Sequence, residues 1–259
     1  MSLTFGHAPF AGQRGGFDFP VPEHVRYWEP WPRRMRAVFA GRTVLDSQRG
    51  VVLHETGRLP QHFYPFDDLD QDLLSAAEPD AQGRAQFSVR AGQRTAPGAV
   101  TAFRDSDDAI PALHGYVSVA FAAMDRWFEE DEPIYGHVRD PYHRVDVRPA
   151  SRHVVVRHAG RVIAESTRPK LLFETSNPIR YYLPFADVDL GVLERSDTVS
   201  ECPYKGDGQH WHLHAEGQRV SDAAWSLPHP LPEGLAAAEH LCFYPHKVHL
   251  EVDGRQVTA

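Results

Sequence analysis

The stretch AGRTVLDSQRGVVLHETGRLPQHFYPFDDLDQDLL, residues 40–74, reappears at residues 159–193 as AGRVIAESTRPKLLFETSNPIRYYLPFADVDLGVL, offset by 119 positions and without a gap. Shared residues include Gly41 with Gly160, Ser47 with Ser166, Arg49 with Arg168, Glu55 with Glu174 and Asp68 with Asp187. Conservative pairs such as Val44 with Ile163 and Phe63 with Tyr182 fill much of the rest. Solenoid repeats recur every roughly 20–50 residues, so a period this long means two tandem copies of one domain. A chain of 259 residues leaves each copy long enough to bury a core.

Within each copy the pattern is that of short strands and turns. Residues 36–45 (RAVFAGRTVL) and 153–164 (HVVVRHAGRVIA) each read as two strands joined by a glycine turn. Strands at 51–55 and 170–174 follow, then the aromatic–proline stretches HFYPF and RYYLPF and the acidic turns Asp68-Leu69-Asp70 and Asp187-Val188-Asp189. Further strands are expected at 86–90 and 209–215. Helix-like segments are expected at 112–127 and at 231–242, where a proline precedes an alanine-rich body. Residues 1–33 are rich in proline and aromatics, which excludes a regular helix or a central strand. Trp28 and Trp31 argue for an arm packed on a domain surface, with a disordered tail as the competing reading for the first fifteen residues. The division expected is therefore an arm at 1–33, a first domain at 34–139, a connector at 140–152 and a second domain at 153–259. The fold class is mainly β (α+β): two small barrels, each with one short helix.

Composition narrows the function classes. Hydrophobic residues make up 42% and charged residues 24%, as in soluble globular proteins. No apolar run approaches the roughly 20 residues of a membrane span. The net charge of -8 argues against a nucleic-acid or anionic-membrane partner. The opening residues MSLTFGHAPFAGQRGGFDF lack a basic region followed by an apolar stretch, and two cysteines cannot build a disulfide framework. Cytoplasmic residence is the expectation.

The copies differ most after the acidic turn. The second reads SECPYKGDGQHWHLHAEGQR where the first reads SAAEPDAQGRAQFSVRAGQR. Cys202, Pro203, Tyr204 and Lys205 have no counterparts of similar chemistry, while Gly206 aligns with Gly83 and Trp211 with Phe87. CPYKG after YYLP and DVD, followed by AAWS, LPE and FYP, resembles the family known as domain of unknown function 427. The segment DPYHRVDVRPASRHV at 140–154 resembles it too. The resemblance implies a β-tent barrel similar to methionine sulfoxide reductase B and the cereblon ligand domain, and it brings a nucleotidyltransferase label that no residue here supports. Several β-tent proteins hold a metal with two CxxC pairs. This chain has no CxxC, and Cys202 with Cys242 cannot supply a four-thiolate site. No cofactor or metal is expected.

Cys202 and Lys205, three residues apart in a proline-containing turn, are candidate reactive groups. A thiol near an ammonium is activated, and a desolvated lysine attacks carbonyls. The bland alternative makes Cys202 a small buried side chain and pairs Lys205 with an acid such as Glu174. Glu174 is a third candidate, although its recurrence as Glu55 fits a structural Arg–Glu pair with Arg168 and, in the first copy, with Arg49. Tyr181, Tyr182, Tyr204, Trp211, Trp225 and Tyr244, with Arg168, are candidate ligand-binding residues that would wall an aromatic pocket, the competing reading being ordinary core. His210, His212 and His214 alternate along a strand. A solvated polar face is favoured for them over metal binding, because the outer two lie about 13 Å apart by strand rise.

The leading expectation is a small-molecule-binding protein with one pocket, in the second domain or at the domain interface, lined by Cys202, Lys205, Glu174 and aromatic residues, with the first domain a degenerate copy that supports or covers it. The rivals are an enzyme using Cys202 or Lys205 on a small carbonyl or nucleotide metabolite, and a peptide- or protein-interaction module. The sequence leaves the ligand and the oligomeric state open.

Overall fold

The computed structural model describes residues 16, 18–20, 22–103 and 110–258. Its contacts divide the chain into two units, Pro20–Asp140 and Pro141–Ala259. Each unit pairs a seven-stranded with a four-stranded antiparallel sheet, so the protein is mostly β in two similar domains.

In the first unit the larger sheet runs Arg26–Trp31, Gly50–Glu55, Gln61–Pro65, Tyr116–Val119, Arg94–Ala102, Gln86–Ala91, Leu74–Ala77. The smaller runs Glu132–Ile134, Arg126–Glu129, Met35–Phe39, Arg42–Ser47. The second unit repeats the order strand for strand. Its larger sheet is Val145–Pro149, Lys170–Glu174, Arg180–Pro184, His240–Phe243, Gln218–Pro230, Gly206–Ala215, Leu193–Ser200. Its smaller sheet is Arg161–Ser166, Val154–His158, His249–Val252, Arg255–Gln256. The glycine turns at 40–41 and 159–160 sit at positive φ in both copies (Gly41 77°, Gly160 83°), so the two expected hairpins form in the same way.

The segments read as arm and connector each supply an edge strand of a larger sheet. Arg26 lies opposite Glu55, and Val145 opposite Glu174, in identical register. An edge position tolerates Pro30 and Pro149, because a ladder bond is demanded on one side only. Trp31 is buried against this sheet, whereas Trp28 is exposed. The first fifteen residues, for which a tail was an alternative, lie outside the described residues.

The helix expected over 231–242 is a shorter 3-10 segment, Pro232–Ala237, followed by the wholly buried strand His240–Phe243. Glu239 at φ 60° ends the helical turn. Burial between two neighbouring strands outweighs alanine's helix propensity, a preference of only a fraction of a kcal/mol per residue. The segment 112–127 likewise breaks into 3-10 turns at Pro111–Leu113 and Phe121–Ala123 around the strand Tyr116–Val119. Among the described residues every helical element is of the 3-10 type.

The core of the second unit forms two layers. One packs Leu183, Leu213, Ala224, Leu241 and Phe243 against the smaller sheet. The other, on the opposite face of the larger sheet, gathers Val145, Leu172, Tyr182, Tyr204, Trp225, Leu227 and Cys242. The candidate residues meet in that second layer.

Candidate functional site

Glu174 ends the strand Lys170–Glu174 and is 8% exposed. Its Oε1 accepts a hydrogen bond from Lys205 Nζ and lies 3.1 Å from His143 Nε2. The His143 and Lys205 side chains are themselves only 13% and 15% exposed. The His143 ring stacks on Tyr204 with centroids 4.2 Å apart and 28° between planes. Burial would raise the Glu174 pKa, but the His143 hydrogen bond and the Lys205 charge outweigh it and hold the carboxyl below its ordinary value. The acid is therefore ionised at neutral pH and is unsuited to donating a proton.

The CPYKG turn is built to place Lys205. Gly206 N–H donates to the Cys202 carbonyl at 2.9 Å, closing the turn, and Leu231 N–H donates to the Lys205 carbonyl at 3.0 Å. Gly206 sits at φ 90°, and a Cβ there would lie 2.7 Å from the His229 carbonyl oxygen. A Cβ at Gly234 would lie 2.9 Å from the Lys205 carbonyl oxygen. Two glycines thus let the turn press against backbone on both sides.

Beside the charged trio lies a row of rings, Tyr182 and Trp225 on two strands and Tyr244 just past the strand His240–Phe243 between them. Trp225 Nε1 donates to the Tyr182 hydroxyl at 2.9 Å, and the two rings meet edge to face at 6.0 Å. Trp225 packs on Tyr244 at 4.3 Å, and the Arg180 guanidinium stands 5.6 Å from the Trp225 ring centre. Burial drives the Tyr182 hydroxyl and the Cys242 thiol well above their ordinary pKa values, so both remain protonated. Cys202 is half-buried and packs against this layer.

Of the residues singled out in the sequence, Cys202, Lys205, Glu174, Tyr182, Tyr204, Trp225 and Tyr244 therefore share one face of the larger sheet. Three others lie elsewhere. Trp211 belongs to the opposite layer, where it packs edge-on with Phe185 and donates Nε1 to Ser226 Oγ at 3.0 Å. Tyr181 also packs in that layer and lines a cavity of about 550 Å³ with Arg152, Phe173 and Asp253. The expected Arg168–Glu174 pair does not form. Arg168 binds Asp187 through Nη2 and Nε at 2.9 and 3.2 Å, and Ser166 Oγ donates to the same carboxylate at 2.7 Å. Arg49, Ser47 and Asp68 repeat the arrangement in the first copy. The shared Ser-x-Arg and Asp are thus a lock between strand and acidic turn.

The three histidines do not form one solvated face. His210 is buried with Nε2 3.0 Å from Ser200 Oγ, His212 Nδ1 accepts from the Asp222 N–H, and exposed His214 pairs with Glu194. A register shift between Trp211 and Leu213 breaks the alternation that the sequence pattern assumes.

His143 was missed in the sequence, yet a signal for it exists. The 119-residue offset extends backward, matching Pro22, His24 and Pro30 with Pro141, His143 and Pro149. His24 Nε2 indeed lies 3.0 Å from Glu55 Oε1, and Arg58 takes the lysine's role at 3.0 Å. There, however, the His24 and Arg58 side chains are 58% and 63% exposed. Only the second copy sequesters its charged trio.

The profile of the family described as domain of unknown function (DUF427) matches residues 27–130 and 146–254, covering both copies. The chain belongs to this family as a tandem repeat. No curated protein matches it.

Proposed function

We propose that the second domain is a small-molecule-binding module whose polar end is the Lys205–Glu174–His143 cluster and whose apolar wall is the row Tyr182, Trp225 and Tyr244. The observation that carries this reading is the burial of the trio. Taking an ammonium and a carboxylate out of water costs several kcal/mol per ion before their attraction returns it, and apolar replacements are often equally stable. In the first copy the corresponding carboxylate, Glu55, is nearly as buried but its partners His24 and Arg58 are solvent-exposed. Sequestration in one copy alone supports a binding role over a purely structural one. Lys205 would fix an anionic or carbonyl-bearing group, the rings would hold the apolar remainder, and ionised Glu174 would orient the ammonium. Binding is favoured over turnover because the carboxylate is held ionised and the Tyr182 and Cys242 hydrogens are held on.

The test is a thermal-shift survey of the intact chain with small aromatic carboxylates and ketones, repeated with Lys205→Met. Stabilisation by at least one carboxylate or ketone, lost in the variant, supports the proposal. Equal shifts in both proteins, or no shift with any compound, would overturn it.

A further inference from the structure

The two larger sheets differ at several places, and a cavity lies at one of them. In the second unit the strands Arg180–Pro184 and His240–Phe243 pair through Tyr182–Cys242, Leu183–Leu241 and Pro184–His240. In the first unit the corresponding strands pair only through Tyr64–Val117 and Pro65–Tyr116. The ladder therefore stops one step earlier, at Phe63 and Ser118, the counterparts of Tyr182 and Cys242. The next strand carries a matching change. Thr101, opposite Ser118 and Gln86, stands where Trp225 stands opposite Cys242 and His210. Phe63, Thr101 and Ser118 thus replace Tyr182, Trp225 and Cys242. The first unit lacks an indole at this point, and a cavity of about 270 Å³ opens beside all three.

The lining dictates what fits. Tyr64, Phe121 and Trp127 supply ring surface, with Phe121 and Trp127 stacked at 5.2 Å and 6°. The charged and titratable side chains of the lining are already engaged or neutral, and His137 Nδ1 lies 2.8 Å from the Val138 carbonyl oxygen. Arg84 is engaged by Asp80 at 2.6 Å, and burial lowers the His62 pKa to about 3, so its imidazole is neutral in the physiological range. Two hydroxyls complete the wall. Thr101 Oγ1 accepts from Gln86 Nε2 at 3.2 Å and keeps its own proton to donate. Ser118 Oγ donates to the Thr101 carbonyl at 3.4 Å and keeps its lone pairs to accept. A volume just under the roughly 300–1,000 Å³ of drug-sized sites suits one or two rings.

We propose that the first domain holds a second, separate binding site, between the parted strands Gln61–Pro65 and Tyr116–Val119, for a small neutral aromatic molecule bearing a group that both donates and accepts a hydrogen bond. The site is independent of the Lys205 cluster.

The test uses fluorine NMR line broadening on the full chain with three probes of one ring size: 4-fluorophenol (neutral), 4-fluorobenzoate (anionic) and 4-fluorobenzylamine (cationic). The neutral probe binds, and the charged probes bind at least about tenfold more weakly, the factor that corresponds to about 1.4 kcal/mol. Thr101→Trp, which restores the indole of the other copy, abolishes binding, whereas Lys205→Met leaves it unchanged. Thr101→Val, a near-isosteric change that removes the donor, guards against misfolding of the tryptophan variant and weakens the neutral probe by about tenfold. Equal binding of all three probes, no binding of the phenol, loss on Lys205→Met, or full binding in Thr101→Val would each overturn the proposal.

Discussion

Replacing Gly206 by alanine tests whether the CPYKG turn is pressed against its surroundings. Two costs follow from the structure. Gly206 sits at φ 90°, a region that side-chain-bearing residues occupy at a cost of order 1–3 kcal/mol. The new methyl would also stand 2.7 Å from the His229 carbonyl oxygen, 3.1 Å from Leu231 N and 3.3 Å from Pro230 Cα. All three are backbone atoms of a strand and its exit, which cannot swing aside as a side-chain tip can. Overpacking of this kind costs about 1–3 kcal/mol, so Gly206→Ala should destabilise the second domain by about 2–6 kcal/mol in total. The control is Gly217→Ala in the same domain. Gly217 sits at φ 73° with nothing within 4 Å of its would-be Cβ, so that variant should cost only the backbone part, about 1–3 kcal/mol. The assay is urea unfolding of both variants, with hydrogen exchange assigning the transition of the second domain. A Gly206→Ala cost no larger than that of Gly217→Ala would refute the close approach, and with it the turn's placement of Lys205.

Three further outcomes are expected. Glu174→Gln should destabilise the second domain by about 3 kcal/mol at neutral pH, because it strips the countercharge from largely buried Lys205. It should also flatten the acid limb of the stability profile: a depressed folded pKa contributes stability above the unfolded value of about 4.3, and that contribution is lost as pH falls through the folded pKa. Parallel acid limbs for wild type and variant in urea titrations from pH 7 to pH 3 would contradict this. Tyr182→Phe should cost about 1–3 kcal/mol by orphaning the buried Trp225 N–H, and an unchanged urea midpoint would count against that hydrogen bond. A thiol reagent should modify half-buried Cys202 and spare Cys242 in the native protein, whereas both should react in urea; native labelling of Cys242, followed by mass spectrometry, would contradict its burial.

The duplication made the architecture legible, because a gapless repeat transfers each strand assignment from one copy to the other. What it hid was the first strand of each copy. Pro30 and Pro149 read as breakers, yet each lies opposite a residue of the next strand along a sheet edge. With those strands went His143, which completes the charged cluster. The Lys205–Glu174 contact is the pairing that the sequence offered as the bland alternative to a reactive lysine. The Arg168–Glu174 expectation failed because a motif shared by both copies offered two acids to one arginine, and only the geometry shows the serine hydroxyl fixing Asp187 as the acceptor. The histidine face failed for a different reason. Alternation assumes an unbroken ladder, and the register shift between Trp211 and Leu213 is a property of the pairing rather than of either strand alone.

Each copy keeps one feature that works against its own stability, and the features differ. The second buries an ammonium, a carboxylate and an imidazole together, where well-packed apolar side chains are often as stable. The first leaves a gap where the second has Trp225, although removing a buried tryptophan side chain typically costs about 3–5 kcal/mol. Phe63, Phe103, Ile110 and Leu113 close part of that face, so the remaining cavity is what the local repacking did not fill. Domains are stable by only about 5–15 kcal/mol, so neither burden is small. If one copy were merely a decayed scaffold, its departures should be scattered polar losses or random cavities. Instead the replacements at Phe63, Thr101 and Ser118 fall on adjacent strands around one cavity, and the ladder opens at the same step. That coincidence supports the second site proposed above, in which case the two copies would take different ligands.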